Sequence, residues 1–236
     1  MKIAVAGNGN VAHHLIPALQ RNSEIVQVTT DAGNFVLTAD VYFLLVPDST
    51  LYDIAKTLRL PEKTIVHVSG ATPLDVLKPI SGNTGVMYFI QTFGKSAPQL
   101  DFSRIPVCVE ASNIETEKLL MELACELSDN VCKATSEQRA RIHLAAVFTN
   151  NFTNALYGIA EKILPQNDLS LLYPLIDETV RKIKTIPAQQ AQTGPAVRRD
   201  KKTIEKHLQL LQSEPQLQEL YRQFTEIIQA STYDAF

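Results

Sequence analysis

Cysteine is scarce in this chain: Cys108, Cys125 and Cys132 are the three in 236 residues. The number is odd, no C-x-x-C spacing occurs, and the surroundings are apolar, which excludes a disulfide framework and predicts reduced thiols in a cytoplasmic protein. Long apolar runs are missing too. None approaches the roughly 18 residues of a membrane helix, and the few apolar residues between Lys2 and Gly7 are too short for the core of an export signal. The expectation is a soluble, unexported protein with no membrane partner. Neither sign of charge dominates: 22 Lys and Arg against 25 Asp and Glu leave a net charge of −3, without a basic or acidic tail, so nucleic acid is not an expected partner. No His, Cys, Asp or Glu set has metal-ligand spacing, and no metal is assigned. Internal repeats and low-complexity tracts are absent as well. These exclusions leave small-molecule chemistry, with a small-molecule substrate and a second copy of the chain, as a homodimer, for partners.

What is present begins at the first residues. A short apolar strand, Lys2 to Ala6, runs into Gly7-Asn8-Gly9-Asn10-Val11-Ala12 and then into a helix with Val11, Leu15 and Leu19 at helical spacing. A bare G-x-G-x-x-[GA] pattern is weak, but a strand before it and a helix after it supply the required context. Gly7 permits the tight turn, Gly9 lets the backbone approach a pyrophosphate, and the free N–H groups of the helix start face the anion. Gly7, Asn8, Gly9, Asn10 and Val11 are therefore expected to bind a dinucleotide. His13 and His14, in the first turn of that helix, read as surface residues.

Up to about residue 110, short apolar runs alternate with helical segments, the signature of a parallel α/β sheet. Strands are predicted at Ile3 to Ala6, Ile25 to Thr29, Val41 to Val46, Thr64 to Val68, Thr84 to Phe89 and Ile105 to Glu110. Ligands collect beyond the carboxyl ends of such strands. Four stretches of unusual composition follow strand ends: Gly7 to Asn10, Val46-Pro47-Asp48, Ser69-Gly70 and Gln91-Thr92. They should share one edge, with Thr30, Val46, Pro47, Asp48 and Ser69 on the cofactor and Ser69, Gly70 and Gln91 near the substrate. Ser69 has no G-x-S-x-G elbow and is not read as a hydrolytic nucleophile.

One connection is short. Residues 30–40 can span about 36 Å when extended, yet they cannot supply both a crossover helix and a strand. The usual third strand is therefore expected to be missing or rudimentary, at the place where an adenosine would rest. Asp31 at the end of the second strand would favour NAD through the ribose 2′-hydroxyl, whereas Thr29, Thr30 and Ala12 tolerate NADP.

After an amphipathic helix at 115–127 and a short strand at Asn130 to Lys133, the period changes. Ser136 to Leu164, Leu169 to Thr185, Lys201 to Leu211 and Gln216 to Ser231 all read as helices, with prolines between them. The expected division is a Rossmann-like dinucleotide-binding domain, 1–135, and an all-helical substrate and dimerisation domain, 136–236. On the first long helix His143 and Asn150 share a face with Arg139, Val147 and Asn154. His143 is suited to exchange a proton near neutral pH and Asn150 to orient a carbonyl or imine, so both are candidate catalytic residues. Asn154 is a candidate substrate contact. The Gly194-Pro195 turn leads to Arg198, whose guanidinium suits a carboxylate or phosphate, and Asp200 reads as the cap of the next helix.

The assembled motifs are GNGNVAHHL at 7–15, FLLVPDSTL at 43–51, HVSGATPLDVL at 67–77, QTF at 91–93, IHLAAVFTNNFTNALY at 142–157 and TGPAVRRDKKTIEKHLQLL at 193–211. On these the chain resembles, over nearly its full length, the oxidoreductases that join a Rossmann-like domain to a C-terminal helical domain of unknown function. These are relatives of pyrroline-carboxylate reductases, hydroxyisobutyrate dehydrogenases and F420-dependent NADP reductases. The resemblance implies hydride transfer between NAD(P), NADP favoured with NAD possible, and a small carbonyl or imine metabolite. It also implies that the helical domain supplies substrate contacts and a dimer interface. In the hydroxy-acid relatives a lysine on the first long helix of the second domain is catalytic; here that face has no lysine and His143 is the nearest candidate. The alternative is a non-catalytic, Rossmann-derived protein that binds or senses a nucleotide or metabolite.

Overall fold

The computed structural model describes residues 1–230. Packing divides the chain into two units, Met1–Leu156 and Tyr157–Phe236, the second described as far as Ala230. The last residue of the helix expected over 216–231, and the rest of the C-terminus, lie outside the described residues.

The first unit is a seven-stranded sheet with helices on both faces. Its strands are β1 (Lys2–Ala6), β2 (Glu24–Thr29), β3 (Val41–Leu44), β4 (Thr64–His67), β5 (Asn83–Phe89), β6 (Val107–Ala111) and β7 (Val131–Lys133), in the order β2-β1-β3-β4-β5-β6-β7. Ile3, Ala4, Val5 and Ala6 of β1 are all fully buried, as a strand covered on both faces must be. Ile3 and Val5 pack with Leu15 and Leu19 of α1 (Asn10–Leu19) and with Leu120 and Leu123 of α3 (Ile114–Leu127). Ala4 and Ala6 pack with Leu51 and Ala55 of α2 (Asp48–Thr57). The two side-chain sets of one strand thus serve two cores, the consequence of the strand's period of two.

No third strand lies outside β2 among the described residues, as the short connection requires. Residues 30–40 instead make a 3-10 turn, Ala32–Asn34, held against β2 by side chains of that strand: the Gln27 amide donates to the Asn34 carbonyl at 2.8 Å and accepts from the Val36 N–H at 2.8 Å, and the Thr29 hydroxyl bonds the Asp31 backbone at 3.1 Å.

Two expectations need correction. The sheet is parallel only through β5, because β6 runs antiparallel to it and β7 parallel to β6. Residues 90–106 contain a 3-10 turn at Phe102–Arg104 but no crossover helix, so the chain returns beside β5 in the opposite sense. His14 is not a surface residue: it is fully buried, with Nε2 2.9 Å from the Gly94 carbonyl, while its own carbonyl accepts from the Gln99 side chain at 2.8 Å. His13 is exposed.

The helix expected over 136–164 begins as foreseen, with Thr135 and Gln138 forming a capping box. It is interrupted, however: α4 (Ser136–Ala146) opens into a π-helical segment, Val147–Phe152, before α5 (Thr153–Ile163). The second unit contains α6 (Tyr173–Ile183), the short α7 (Ala188–Ala191), α8 (Lys201–Leu210) and α9 (Pro215–Gln229). Asp200 caps α8 as expected, accepting from the Thr203 N–H at 3.1 Å. Among the described residues no helix is long and apolar enough to cross a membrane.

Candidate active site

Strands β1, β3, β4 and β5 are mutually parallel, so the loops after Ala6, Leu44, His67 and Phe89 share one edge. At Gly7, φ is +125° and an added Cβ would lie 2.1 Å from the Leu45 carbonyl oxygen. Only glycine fits that turn. Its N–H donates to the Thr29 carbonyl at 2.7 Å, which ties the turn to β2. Gly9 has a different reason to be small: an added Cβ would meet nothing within 4 Å, so no packing excludes a side chain and the backbone stands open.

Gly9 is also the N-cap of α1, with no capping side chain and no acidic residue in the first turn. The first backbone bond there runs from the His13 N–H to the Gly9 carbonyl at 3.1 Å. The N–H groups of Asn10, Val11 and Ala12 precede it, as orphan donors at a helix start, where the dipole favours an anion. These features fit the pyrophosphate of a dinucleotide. Asn8 and Thr30 are exposed beside the turn. The Asp31 carboxylate is already engaged, accepting from the Gly33 N–H at 2.8 Å and from the Asn34 amide at 3.0 Å.

Asp48 and Ser69, expected on the cofactor, meet each other: the Ser69 hydroxyl donates to the Asp48 carboxylate at 2.8 Å and accepts from the N–H of Thr72 at 2.9 Å. Pro47 is the N-cap of α2 and Val46 packs on the core beneath it.

Arg139 of α4 lies under these loops, 1% exposed. It forms an ion pair with Glu110 of β6 and donates to the carbonyls of Ser69 (3.0 Å) and Thr72. Glu110 in turn accepts from the backbone and hydroxyl of Ser136 at 2.9 and 2.8 Å. One guanidinium therefore fastens the first turn of α4 to β6 and to the loop after β4. His67, fully buried at the end of β4, accepts from the Ser69 N–H at 3.1 Å. Burial, with the Arg139 charge adding to it, pushes His67 down to about 3, so it is neutral near pH 7.

One turn beyond Arg139 stands His143. Its Nδ1 lies 3.2 Å from the Tyr88 hydroxyl, with the two rings edge to face at 5.8 Å between centroids. Gly70 makes that approach possible: an added Cβ would lie 2.7 Å from His143 Nδ1 and 2.8 Å from Tyr88 Cε2. Gly70, expected near the substrate, is thus buried against the His143 and Tyr88 rings. Burial raises the Tyr88 phenol above its ordinary range, and the Cys108 thiol across the strand pair adds to the effect. The Cys108 thiol is itself pushed up to about 12 by burial and by Cys132, whose Sγ is 3.6 Å away.

A cavity of about 470 Å³ opens at this edge, and Asn10, Val11, Gln91, His143 and Asn150 all line it. Tyr88, Ile90, Phe93, Val147 and Asn151 complete much of the wall. The π segment contributes here: Val147, Thr149, Asn150 and Asn151 all line the space. Asn154 is not among the lining residues. Arg198 is exposed in the second unit. Sequence reasoning missed Tyr88, which sits in an apolar strand where nothing local marks it; Asn151 belongs to the mid-helix asparagine cluster with Asn150 and Asn154 and was given no role of its own.

The family model described as "Domain of unknown function (DUF2520)" matches residues 105–228. No curated protein matches the chain. Among solved structures, a Bacteroides fragilis protein described as a "putative NADP oxidoreductase" is 35% identical, over 97% of this chain and 98% of that one, with a TM-score of 0.89. A Thermotoga maritima protein is 20% identical over 98% of each chain, with a TM-score of 0.72. An imine reductase from Myxococcus stipitatus in complex with NADP+ is 13% identical, covering 100% of this chain and 95% of that one, with a TM-score of 0.60. At such identities the last two likenesses are of fold.

The geometry around Gly70 sets an expected outcome. Gly70→Ala forces the His143 and Tyr88 rings apart and should lower stability by about 1–3 kcal/mol in urea denaturation, as overpacking does. An unchanged denaturation midpoint would show that the rings do not occupy the glycine's slot.

Proposed function

The chain belongs to the DUF2520 family, and from that premise we propose that it is an NADP-dependent oxidoreductase acting on a small carbonyl or imine metabolite. The observation that carries this reading is the shared cavity, in which Asn10 and Val11 from the glycine turn stand with His143 and Asn150. A nicotinamide bound there would supply the hydride. The rest falls to the protein's own residues. The backbone of Gly7, Asn8, Gly9, Asn10 and Val11 receives the phosphates, and the edge through Thr30, Val46, Pro47, Asp48 and Ser69 continues that site. His143 supplies or steers the proton, while Asn150 orients the polar atom of the substrate. Gln91 borders the substrate, and Asn154 and Arg198 are its further candidate contacts. The engagement of Asp31 in its own turn favours NADP over NAD, because that carboxylate is the group that would otherwise hold a ribose 2′-hydroxyl.

We assign the cofactor to 1–135 and substrate contacts and dimerisation to 136–236. A homodimer is supported by the second unit's own surface. Helices α6, α8 and α9 have no buried residue, and Leu171, Leu175, Ile183, Phe224 and Ile227 are all exposed, more apolar surface than an isolated unit normally leaves in water. We place the protein in the cytoplasm, where Cys108 and Cys132 would remain thiols.

A second reading, a non-catalytic sensor of a nucleotide or metabolite, is favoured by the missing third strand and by the mutual hydrogen bond of Asp48 and Ser69. Fluorescence titration with NADPH and NADH tests the cofactor that the oxidoreductase reading requires and that a metabolite sensor does not. NADPH should bind with a dissociation constant between about 1 μM and 1 mM, the usual range for such ligands, and more tightly than NADH. If neither binds below the millimolar range, the oxidoreductase reading fails. Sedimentation velocity on the same sample should show a dimer, and a monomer at micromolar concentration would remove the dimer from the proposal.

A further inference from the structure

The Tyr88 hydroxyl has one hydrogen-bonding neighbour among the described residues, Nδ1 of His143 at 3.2 Å. Tyr88 is 8% exposed, and a buried phenol needs an acceptor for its proton. If Nδ1 carried a hydrogen and donated to the phenol oxygen, the phenol's own hydrogen would have no partner among the described residues. The arrangement that satisfies both groups from those residues alone has the hydroxyl donating to Nδ1. In a neutral imidazole the remaining proton is then on Nε2, which makes no hydrogen bond to the described residues and belongs to a ring that lines the cavity.

We propose that Tyr88 is the positioning residue for His143: its hydroxyl fixes the ring as the Nε2–H tautomer and passes a proton to Nδ1 as Nε2 gives one up. The proposal rests on the oxidoreductase reading only for its second half. In that chemistry the substrate carbon takes a hydride with its electron pair, and the substrate oxygen or nitrogen takes the proton from Nε2. The Tyr88 O–H bond breaks as the Nδ1–H bond forms, so the imidazole stays neutral; afterwards the phenolate takes the Nδ1 proton back as Nε2 gains one from water, which restores the starting tautomer. A neutral imidazole donor is a known solution for polarising a carbonyl.

The surroundings suit this assignment. Facing Tyr88 across the strand pair is Cys108 from β6, a thiol at neutral pH. The charged groups near α4's first turn, Arg139 and Glu110, are paired with each other. Burial keeps Tyr88 protonated until the step requires otherwise. Gly70 provides the slot in which the two rings meet.

The test uses the full chain without any ligand, labelled with 15N-histidine, and assigns His143 among the five histidines by comparison with His143→Gln. Wild type should show Nδ1 as the unprotonated nitrogen and Nε2 as the protonated one. Tyr88→Phe keeps the ring's packing and should leave a mixture of tautomers. With NADPH and a panel of small aldehydes, ketones and cyclic imines, Tyr88→Phe should lower kcat by about 10- to 100-fold, with KM within about twofold, as the loss of general-acid assistance predicts. A protonated Nδ1 in wild type, or a tautomer unchanged in Tyr88→Phe, overturns the proposal whatever the enzyme reduces. A shifted tautomer with unchanged kcat overturns the proton transfer alone. A shifted tautomer in a protein that reduces nothing on the panel upholds the positioning role and counts instead against the oxidoreductase reading.

Discussion

A guanidinium with 1% of its surface exposed holds α4 to the ends of the strands, and the candidate site is built on that bond. Arg139 pairs with Glu110 on β6 and takes two carbonyls from the loop after β4; Glu110 takes the first residue of α4. Breaking one side of such a buried pair commonly costs roughly 3–5 kcal/mol, since the other charge is left uncompensated. A leucine in Arg139's place could fill the space but could not satisfy the Ser69 and Thr72 carbonyls. The ion pair therefore acts as a register device as much as a source of stability. It places His143, one helical turn on, against Gly70 and Tyr88.

The glycines of the site do three different things. Gly7 supplies a backbone angle and a clearance from the Leu45 carbonyl that no other residue allows. Gly9 leaves open space over uncapped N–H groups. Gly70 makes room for two rings. The same omission of a side chain thus serves a turn, an open helix start and an aromatic contact. The distinction explains why G-x-G patterns read so poorly in isolation: the function lies in what each missing Cβ would have touched.

Much of the fold is legible in the sequence because the signals are local. The strand-turn-helix at residues 2–19, the apolar runs of β3 and β4, the missing third strand and the Asp200 cap each follow from a few neighbouring residues. The direction of β6 is not local, since it depends on whether residues 90–106 cross the sheet. His14 looked superficial because its partner, Gly94, is 80 positions away. For the site, Asn10, Val11, Gln91, His143 and Asn150 share a cavity as the strand-end rule and the helix face suggested. Tyr88 could not be read, because its meaning arises from a histidine 55 positions later and from Gly70, which precedes both.

The proposal that the carboxyl edge of β1, β3 and β4 holds a dinucleotide is open to direct measurement by hydrogen–deuterium exchange with and without NADPH. Saturating NADPH should slow exchange in peptides covering residues 7–13, 45–51 and 68–74, where the orphan amides and strand-end loops lie, and leave the β6–β7 edge unchanged. Equal exchange across those three loops with the cofactor bound, or protection confined to other parts of the chain, would contradict the account.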